Sequence, residues 1–369
     1  MVDKYADLPE NQKQQHFDKL NAYKDSLRKN PQLTMLFLEM TLACNQRCLH
    51  CGSNCGEHVL KNALTDYEIL EMMISLKYSM EKNGEKLPFV GVTGGEPMLR
   101  PHLPRLMKSI RQLGYHWGMT SNGSLITKEQ AKELRMAGMY SISISLDGLK
   151  ETHDWFRQTT GAYALALQSV DNLIEANIPK VMITTVVHKR NIHELDEIYK
   201  VVKSHGCRMW RIINVEPIGR ALTNPELMLD REDYQYIIDY IIRHQADEGM
   251  EIIYSCNHYL GLERERKTRP WYYNCRAGIQ VASIQYNGDI SACLDIERRP
   301  ELTYGNIREN DFYYVWKTRF EAYRRHKEED SKKCSVCRHK ENCQGGGYHT
   351  WDFDNNEPRL CMLSQLEDL

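Results

Sequence analysis

No run in this 369-residue chain approaches the roughly 18 consecutive apolar residues of a membrane span, so no membrane partner is expected. Neither sign of charge dominates. The 48 Lys and Arg residues stand against 50 Asp and Glu, which argues against an extended nucleic-acid groove or a strongly acidic partner. Met1 to Asn30 is charged and lacks the apolar segment of an export signal, so a cytoplasmic chain is expected. Internal repeats and low-complexity linkers are missing as well. Cysteine is not: there are twelve. In a chain with no export signal, that number favours metal or redox use over a disulfide framework.

The length suits one large domain plus a smaller one. Strands are expected at Leu36–Thr41, Phe89–Thr93, Tyr115–Thr120, Tyr140–Leu146, Lys180–Val187 and Met209–Val215. Helical periodicity lies between them, at Leu103–Leu113, Tyr163–Ala176, Ile192–Ser204 and Asp230–Glu248. Thr65-x-x-Glu68 and Thr127-x-x-Gln130 read as capping boxes. Strict strand–helix alternation predicts a parallel α/β sheet, because parallel neighbours need crossover helices. Chemistry would sit at the C-terminal ends of its strands. Alternation alone does not separate an open six-stranded barrel from a doubly wound sheet. Beyond Met250 the pattern changes to a hairpin around Asn287-Gly288, a helix over Asp311–Lys327 and a cysteine- and glycine-rich tail. The expected segments are a helical one over 1–33, a core domain over 34–250 and an auxiliary domain over 251–369.

Cys44-x3-Cys48-x2-Cys51 follows the first expected strand. Three thiolates on a 4Fe–4S cluster leave one iron without a protein ligand, open to a small molecule. A structural zinc site and cysteines that merely pack are the alternatives. The spacing resembles the cluster loop of the radical SAM superfamily. That resemblance implies a partial (β/α)6 barrel and S-adenosylmethionine chelated to the open iron. It also implies a 5′-deoxyadenosyl radical that abstracts hydrogen, and an electron donor such as flavodoxin or ferredoxin. Val92-Thr93-Gly94-Gly95-Glu96-Pro97 is similar to the family's methionine-binding motif. Carried over residue by residue, Ser121, Asn122, Ser145 and Arg157 would contact the ribose and carboxylate of the cofactor. Gly219 would pack against adenine, and His50 would pack on the cofactor. Cys55 is expected to be a passive thiol and Cys207 a core thiol.

The tail carries Cys275-x12-Gly288-x4-Cys293, then Cys334-x2-Cys337-x5-Cys343, then Cys361. Zinc would fit the composition. Behind a radical SAM core the pattern resembles the SPASM extension, or its shorter Twitch form, which makes the second domain a small cysteine-rich α+β unit. The resemblance implies one auxiliary 4Fe–4S cluster on Cys334, Cys337, Cys343 and Cys361. Gly347 stands where the family has a further cysteine. An inner set would therefore hold only Cys275 and Cys293, needing Cys256, His349 or a bound ligand for a second cluster. Cys256 is also a candidate hydrogen donor to a substrate radical, as in similar peptide epimerases. Tyr254, His258, Trp271, Tyr348, His349 and Trp351 are candidates for lining the pocket.

The resemblance implies an oxidoreductase acting on a ribosomally made peptide or protein by crosslinking, epimerisation or oxidation. A tetrapyrrole side-chain decarboxylation or oxidation is the alternative: haem-biosynthesis relatives share the tail spacing and a stretch like Cys51-Gly52-Ser53. A non-catalytic iron–sulfur or metal-binding protein is the reading from another class. A carrier would normally shield its cluster with four protein ligands.

Overall fold

A computed structural model describes residues 8–56 and 62–367; residues 1–7 of the expected N-terminal segment and the last two of the auxiliary domain lie outside these. Nine strands share one sheet: β1 Met35–Glu39, β2 Phe89–Thr93, β3 Trp117–Ser121, β4 Ser141–Ser145, β5 Lys180–Val187, β6 Met209–Asn214, β7 Glu251–Tyr254, β8 Val281–Ile284 and β9 Ile290–Ser291. Their order is β7-β6-β5-β4-β3-β2-β1-β8-β9. Neighbours are parallel from β7 to β8, and β8–β9 is the antiparallel hairpin around Asn287-Gly288. A doubly wound sheet reverses its strand order. Here β1 to β7 run without reversal, so the partial barrel is the fold, with β7 and β9 at its ends.

The helices are α1 Glu10–Lys29, α2 Asp66–Lys82, α3 Leu103–Gln112, α4 Lys128–Met136, α5 Lys150–Arg157, α6 Ala162–Glu175, α7 Leu195–Ser204, α8 Arg231–Arg243, α9 Glu265–Thr268, α10 Phe312–Thr318, α11 Lys340–Cys343 and α12 Met362–Leu366. Both expected capping boxes form, starting α2 at Thr65 and α4 at Thr127. Crossover helices bury one stripe, such as Leu103, Leu106, Met107 and Ile110 of α3, against strand residues such as Val90, Val92, Ile142 and Ile144. The short α5 escapes the periodicity because its buried face includes His153 and Arg157 beside Phe156.

The expected helix over Asp311–Lys327 is shorter than its sequence suggests. It ends at Thr318 because the Arg324 side chain turns back onto the Lys317 (2.9 Å) and Trp316 carbonyls. The freed chain buries Phe320 and Tyr323.

The sheet runs through the expected boundary near residue 250: β7 pairs with β6, and β8 lies on β1 with Met35 beside Val281 and Leu38 beside Ile284. Buried Glu39, at the end of β1, pairs with Arg298 of the auxiliary segment. On the far side α1 clasps the tail. Lys13 pairs with Glu263 at 2.6 Å, and Arg28 Nη2 donates to Gln344 Oε1 at 2.7 Å. Phe17 meets Tyr259 edge-on at 5.8 Å.

Candidate functional site: three thiols at the barrel mouth and a second cysteine cage

The loop after β1 folds back on itself, with Cys44 N–H donating to Gly56 O at 2.9 Å. The turn after β2 docks directly on it. Gly95 N–H donates to Thr41 O (2.7 Å) and Glu96 N–H to Ala43 O (2.9 Å). A Cβ on Gly94 would lie 2.3 Å from Thr41 O, and one on Gly95 2.1 Å from Ala43 O. Two glycines are therefore what lets the turn reach the cysteine loop.

Glu96 is fully buried and fully used. Its carboxylate accepts from Ser121 Oγ (2.8 Å), Asn122 N–H (2.8 Å) and Met98 N–H (3.1 Å). It thus ties the β2 turn to the end of β3, with Pro97 buried behind. Asn122 Nδ2 donates to Asn45 Oδ1 at 2.9 Å and lies 4.0 Å from Cys44 Sγ. Ser145 ends β4 at the same edge of the sheet.

Each thiol has its own surroundings. Burial pushes Cys44 up to about 11 and also raises Cys48, where Arg157 opposes it. Cys51 is lowered, chiefly by the Cys55 thiol, against the effect of burial; the Cys55 N–H also donates to Cys51 Sγ at 3.4 Å. Arg157 is buried, its Nε donates to Asp147 Oδ2 at 2.6 Å, and its Nη1 points at Cys48 Sγ at 3.5 Å. The guanidinium expected to meet a cofactor carboxylate is thus anchored by Asp147 and aimed at a thiol. His50 stacks on Phe156 (4.2 Å, 2°) and Phe156 on His188 (4.1 Å). Burial holds His50 well below the usual imidazole range, and its Nδ1 lacks a hydrogen-bond partner among the described residues.

The sequence reading undervalued Arg220, named only as part of its motif. Its Nε donates to Cys48 O (2.7 Å) and its Nη1 to Cys55 O (2.6 Å). Gly219 beside it has φ +53, and a Cβ there would meet Cys51 O at 2.3 Å. The turn after β6 therefore closes over the loop from the other side. An arginine beside a left-handed glycine was the only sequence signal for this clasp.

In the tail, Cys334, Cys343 and Cys361 feel one another's charge, and burial brings Cys343 up to about 12. His339 N–H approaches Cys337 Sγ at 3.5 Å. Two buried lysines stand against this set, and among the described residues neither Nζ has a hydrogen-bond partner. Lys327 lies between Tyr348 (4.2 Å) and Trp351 (4.0 Å), so these two rings serve the lysine. Lys24 of α1 lies over Tyr273 at 5.4 Å. Burial lowers both lysines to about 8, opposed for Lys24 by Glu265 and then Cys343, and for Lys327 by Cys275 and then Cys343. Neither lysine was foreseen, because a lysine in a polar helix reads as solvated surface.

A buried ion pair fixes the entry to the tail. Arg269 is clamped to Glu265 at 2.7 Å and donates to the carbonyls of Cys256 (2.8 Å) and His258 (2.6 Å). Glu265 also accepts from Tyr273 N–H at 2.6 Å, next to Cys275. Of the inner set, burial raises Cys293 strongly, and its Sγ lies 3.8 Å from Asp295 Oδ2. Cys256 is buried, accepts from Asn214 N–H at 3.3 Å, and is pushed well up by burial and by Glu216. His349 and His258 both bond Glu216 at 2.7 Å. Tyr254 is buried with its hydroxyl on Asn214 Oδ1, Trp271 is a surface residue, and Cys207 is a core thiol.

The residues present fit iron–sulfur clusters at both places. The first offers three thiols on one loop, against which the Gly94-Gly95 turn packs backbone to backbone. It also leaves orphaned polar atoms on Gln46 and His50. The second offers four thiols and two buried lysines whose Nζ atoms have no hydrogen-bond partner among the described residues, which suits an anionic cluster.

Comparison with known proteins accords with this geometry. The sequence model of the radical SAM superfamily matches residues 38–202, and that of SPASM, an iron–sulfur cluster-binding domain, matches residues 275–344. The AdoMet-dependent heme synthase of Methanosarcina barkeri is 29% identical over 324 residues, covering 83% of this chain and 89% of that protein. The mycofactocin maturase of Mycolicibacterium smegmatis is 28% identical over 322 residues, covering 84% and 76%. Among solved structures, Streptococcus suis SuiB bound to S-adenosylmethionine superposes with a TM-score of 0.69 at 19% identity, over 90% of this chain and 77% of that one. That likeness is one of fold. No described helix is long and apolar enough to cross a membrane.

Proposed function

This chain belongs to the radical SAM superfamily and carries a SPASM iron–sulfur domain; from that premise we propose that it abstracts hydrogen from a ribosomally made peptide or protein, to crosslink, epimerise or oxidise it. When bound, a 4Fe–4S cluster and S-adenosylmethionine together supply a 5′-deoxyadenosyl radical able to attack unactivated carbon. One arrangement supports the reading: β8 of the auxiliary segment runs parallel beside β1, so its C-terminal end and the three-thiol loop leave the sheet on the same side.

Cys44, Cys48 and Cys51 would hold the first cluster. Gly94 and Gly95, with Ser121, Asn122, Ser145 and Gly219, would bind and orient S-adenosylmethionine; Glu96 and Pro97, buried, hold that turn in place instead of contacting the cofactor, and Arg157 steadies Cys48. The Gly219–Arg220 turn closes over the loop and keeps water from the reacting centre. Cys334, Cys337, Cys343 and Cys361 would hold one auxiliary cluster. Flavodoxin or ferredoxin is the electron donor in this scheme, and the cytoplasm its compartment. Similarity to mycofactocin maturases over 84% of the chain supports a peptide substrate.

The heme-synthase similarity, over 83% of the chain, favours a second reading, oxidation or decarboxylation of a tetrapyrrole side chain. One experiment separates them. Anaerobically reconstituted enzyme is given S-adenosylmethionine and dithionite, with either iron-coproporphyrin III or a short peptide encoded beside its gene. Deoxyadenosine formation coupled to a mass change in the peptide supports the first reading. Coupling to the porphyrin instead supports the second, and no deoxyadenosine from fully loaded protein rejects both.

A further inference from the structure

We propose that Glu216, His258 and His349 bind one divalent transition-metal ion, of zinc(II) or iron(II) character, separate from the iron–sulfur clusters. Three distant parts of the chain converge here: the end of β6, the segment after β7, and the turn that follows Gly347. His258 Nε2 lies 2.7 Å from Glu216 Oε1, and His349 Nε2 lies 2.7 Å from Glu216 Oε2. The donor atoms all fall within 4.8 Å of one another. Their side chains are only 2%, 12% and 10% exposed for His258, His349 and Glu216. Two imidazoles and a carboxylate form a borderline donor set, and three protein ligands leave a coordination position open.

One further observation bears on the site. Gly347, the residue that breaks the cysteine pattern, is what admits His349: a Cβ there would lie 2.4 Å from the His349 ring. The lost cysteine and the gained histidine are one structural change. His258 is oriented from behind by Arg269, which holds its carbonyl. Glu216 precedes the Gly219 turn that closes on Cys51. A carboxylate or carbonyl oxygen of the substrate is the ligand class it would take.

The test uses anaerobically prepared holoenzyme, loaded with cobalt(II), desalted and assayed for cobalt, iron, sulfide and visible absorption. The expected result is one retained cobalt per chain with ligand-field bands and no thiolate-to-cobalt charge transfer. Glu216→Gln and His349→Gln should each weaken cobalt binding at least ~10-fold, with iron and sulfide unchanged. Zinc should raise the melting temperature of wild type but not of His258→Gln, a readout that stands even if one variant folds poorly. No retained cobalt, retention indifferent to the variants, or a charge-transfer band pointing to Cys275 and Cys293 would each overturn the proposal. Deoxyadenosine formation is measured separately, so failure of the radical reading would not be mistaken for failure of this one.

Discussion

Around Cys44, Cys48 and Cys51, charge is managed by backbone N–H groups and a guanidinium already paired with Asp147. Around Cys334, Cys343 and Cys361 two lysines, Lys24 and Lys327, are buried with no hydrogen-bond partner among the described residues. The difference follows the ligand count. Three thiolates make a less negative cluster than four, and an open iron must stay accessible. The first site is accordingly built from backbone and glycine, which let the neighbouring turns pack directly on the cysteine loop. The second is closed with rings and ammonium groups, which exclude water and offset charge.

The largest effect should separate the two sites outright. Cys44→Ser should abolish deoxyadenosine formation, whereas Cys343→Ser should lower iron content yet leave S-adenosylmethionine cleavage uncoupled from product. Equal loss in both would erase the distinction. The next prediction concerns the ion pairs behind each site. Arg269→Met leaves Glu265 buried and unpaired, so thermal or denaturant unfolding should show a loss of about 3–5 kcal/mol.

Gly95→Ala tests the glycine turn directly. With Ala43 O at 2.1 Å from the new Cβ, the turn must back away, at about 1–3 kcal/mol of stability and with weakened S-adenosylmethionine binding. Lys327→Met should shift the auxiliary cluster to a more negative potential, by on the order of 100 mV or less. Redox titration by electron paramagnetic resonance would read this, and the first cluster should not move.

The smallest effect lies where the regions meet at the surface. Arg308 donates to Glu68 (2.5 Å) and is the main cause that lowers this carboxylate to about 2. A depressed folded-state value means stabilisation present above the unfolded value near 4.5 and lost as pH falls toward about 2. The pair is largely solvent-screened, so the contribution is about 1 kcal/mol or less. The deficit of Arg308→Met relative to wild type should therefore shrink with acidification in pH-dependent denaturation.

Local signals were legible wherever one residue type has one physical use. Thr65 and Thr127 announced their helices, Asn287-Gly288 its hairpin, and the strands from Phe89 and Lys180 began and ended where their β-branched runs do. Signals failed where burial reversed a residue's usual meaning. Arg157 and His153 hid α5, Arg324 cut α10 short by capping it from outside, and Lys24 passed for surface.

By itself, the sequence determined the parallel sheet, the two cysteine sets and the glycine-bearing turns, because these depend on spacing along the chain; the barrel came from the family resemblance. Only the tertiary structure decided that Glu96 is a clamp, that Arg220 closes the loop, and that α1 covers the auxiliary cage. It alone brought Glu216 to His258 and His349. Those roles depend on which distant groups share a dry, low-dielectric space, and no local pattern encodes that.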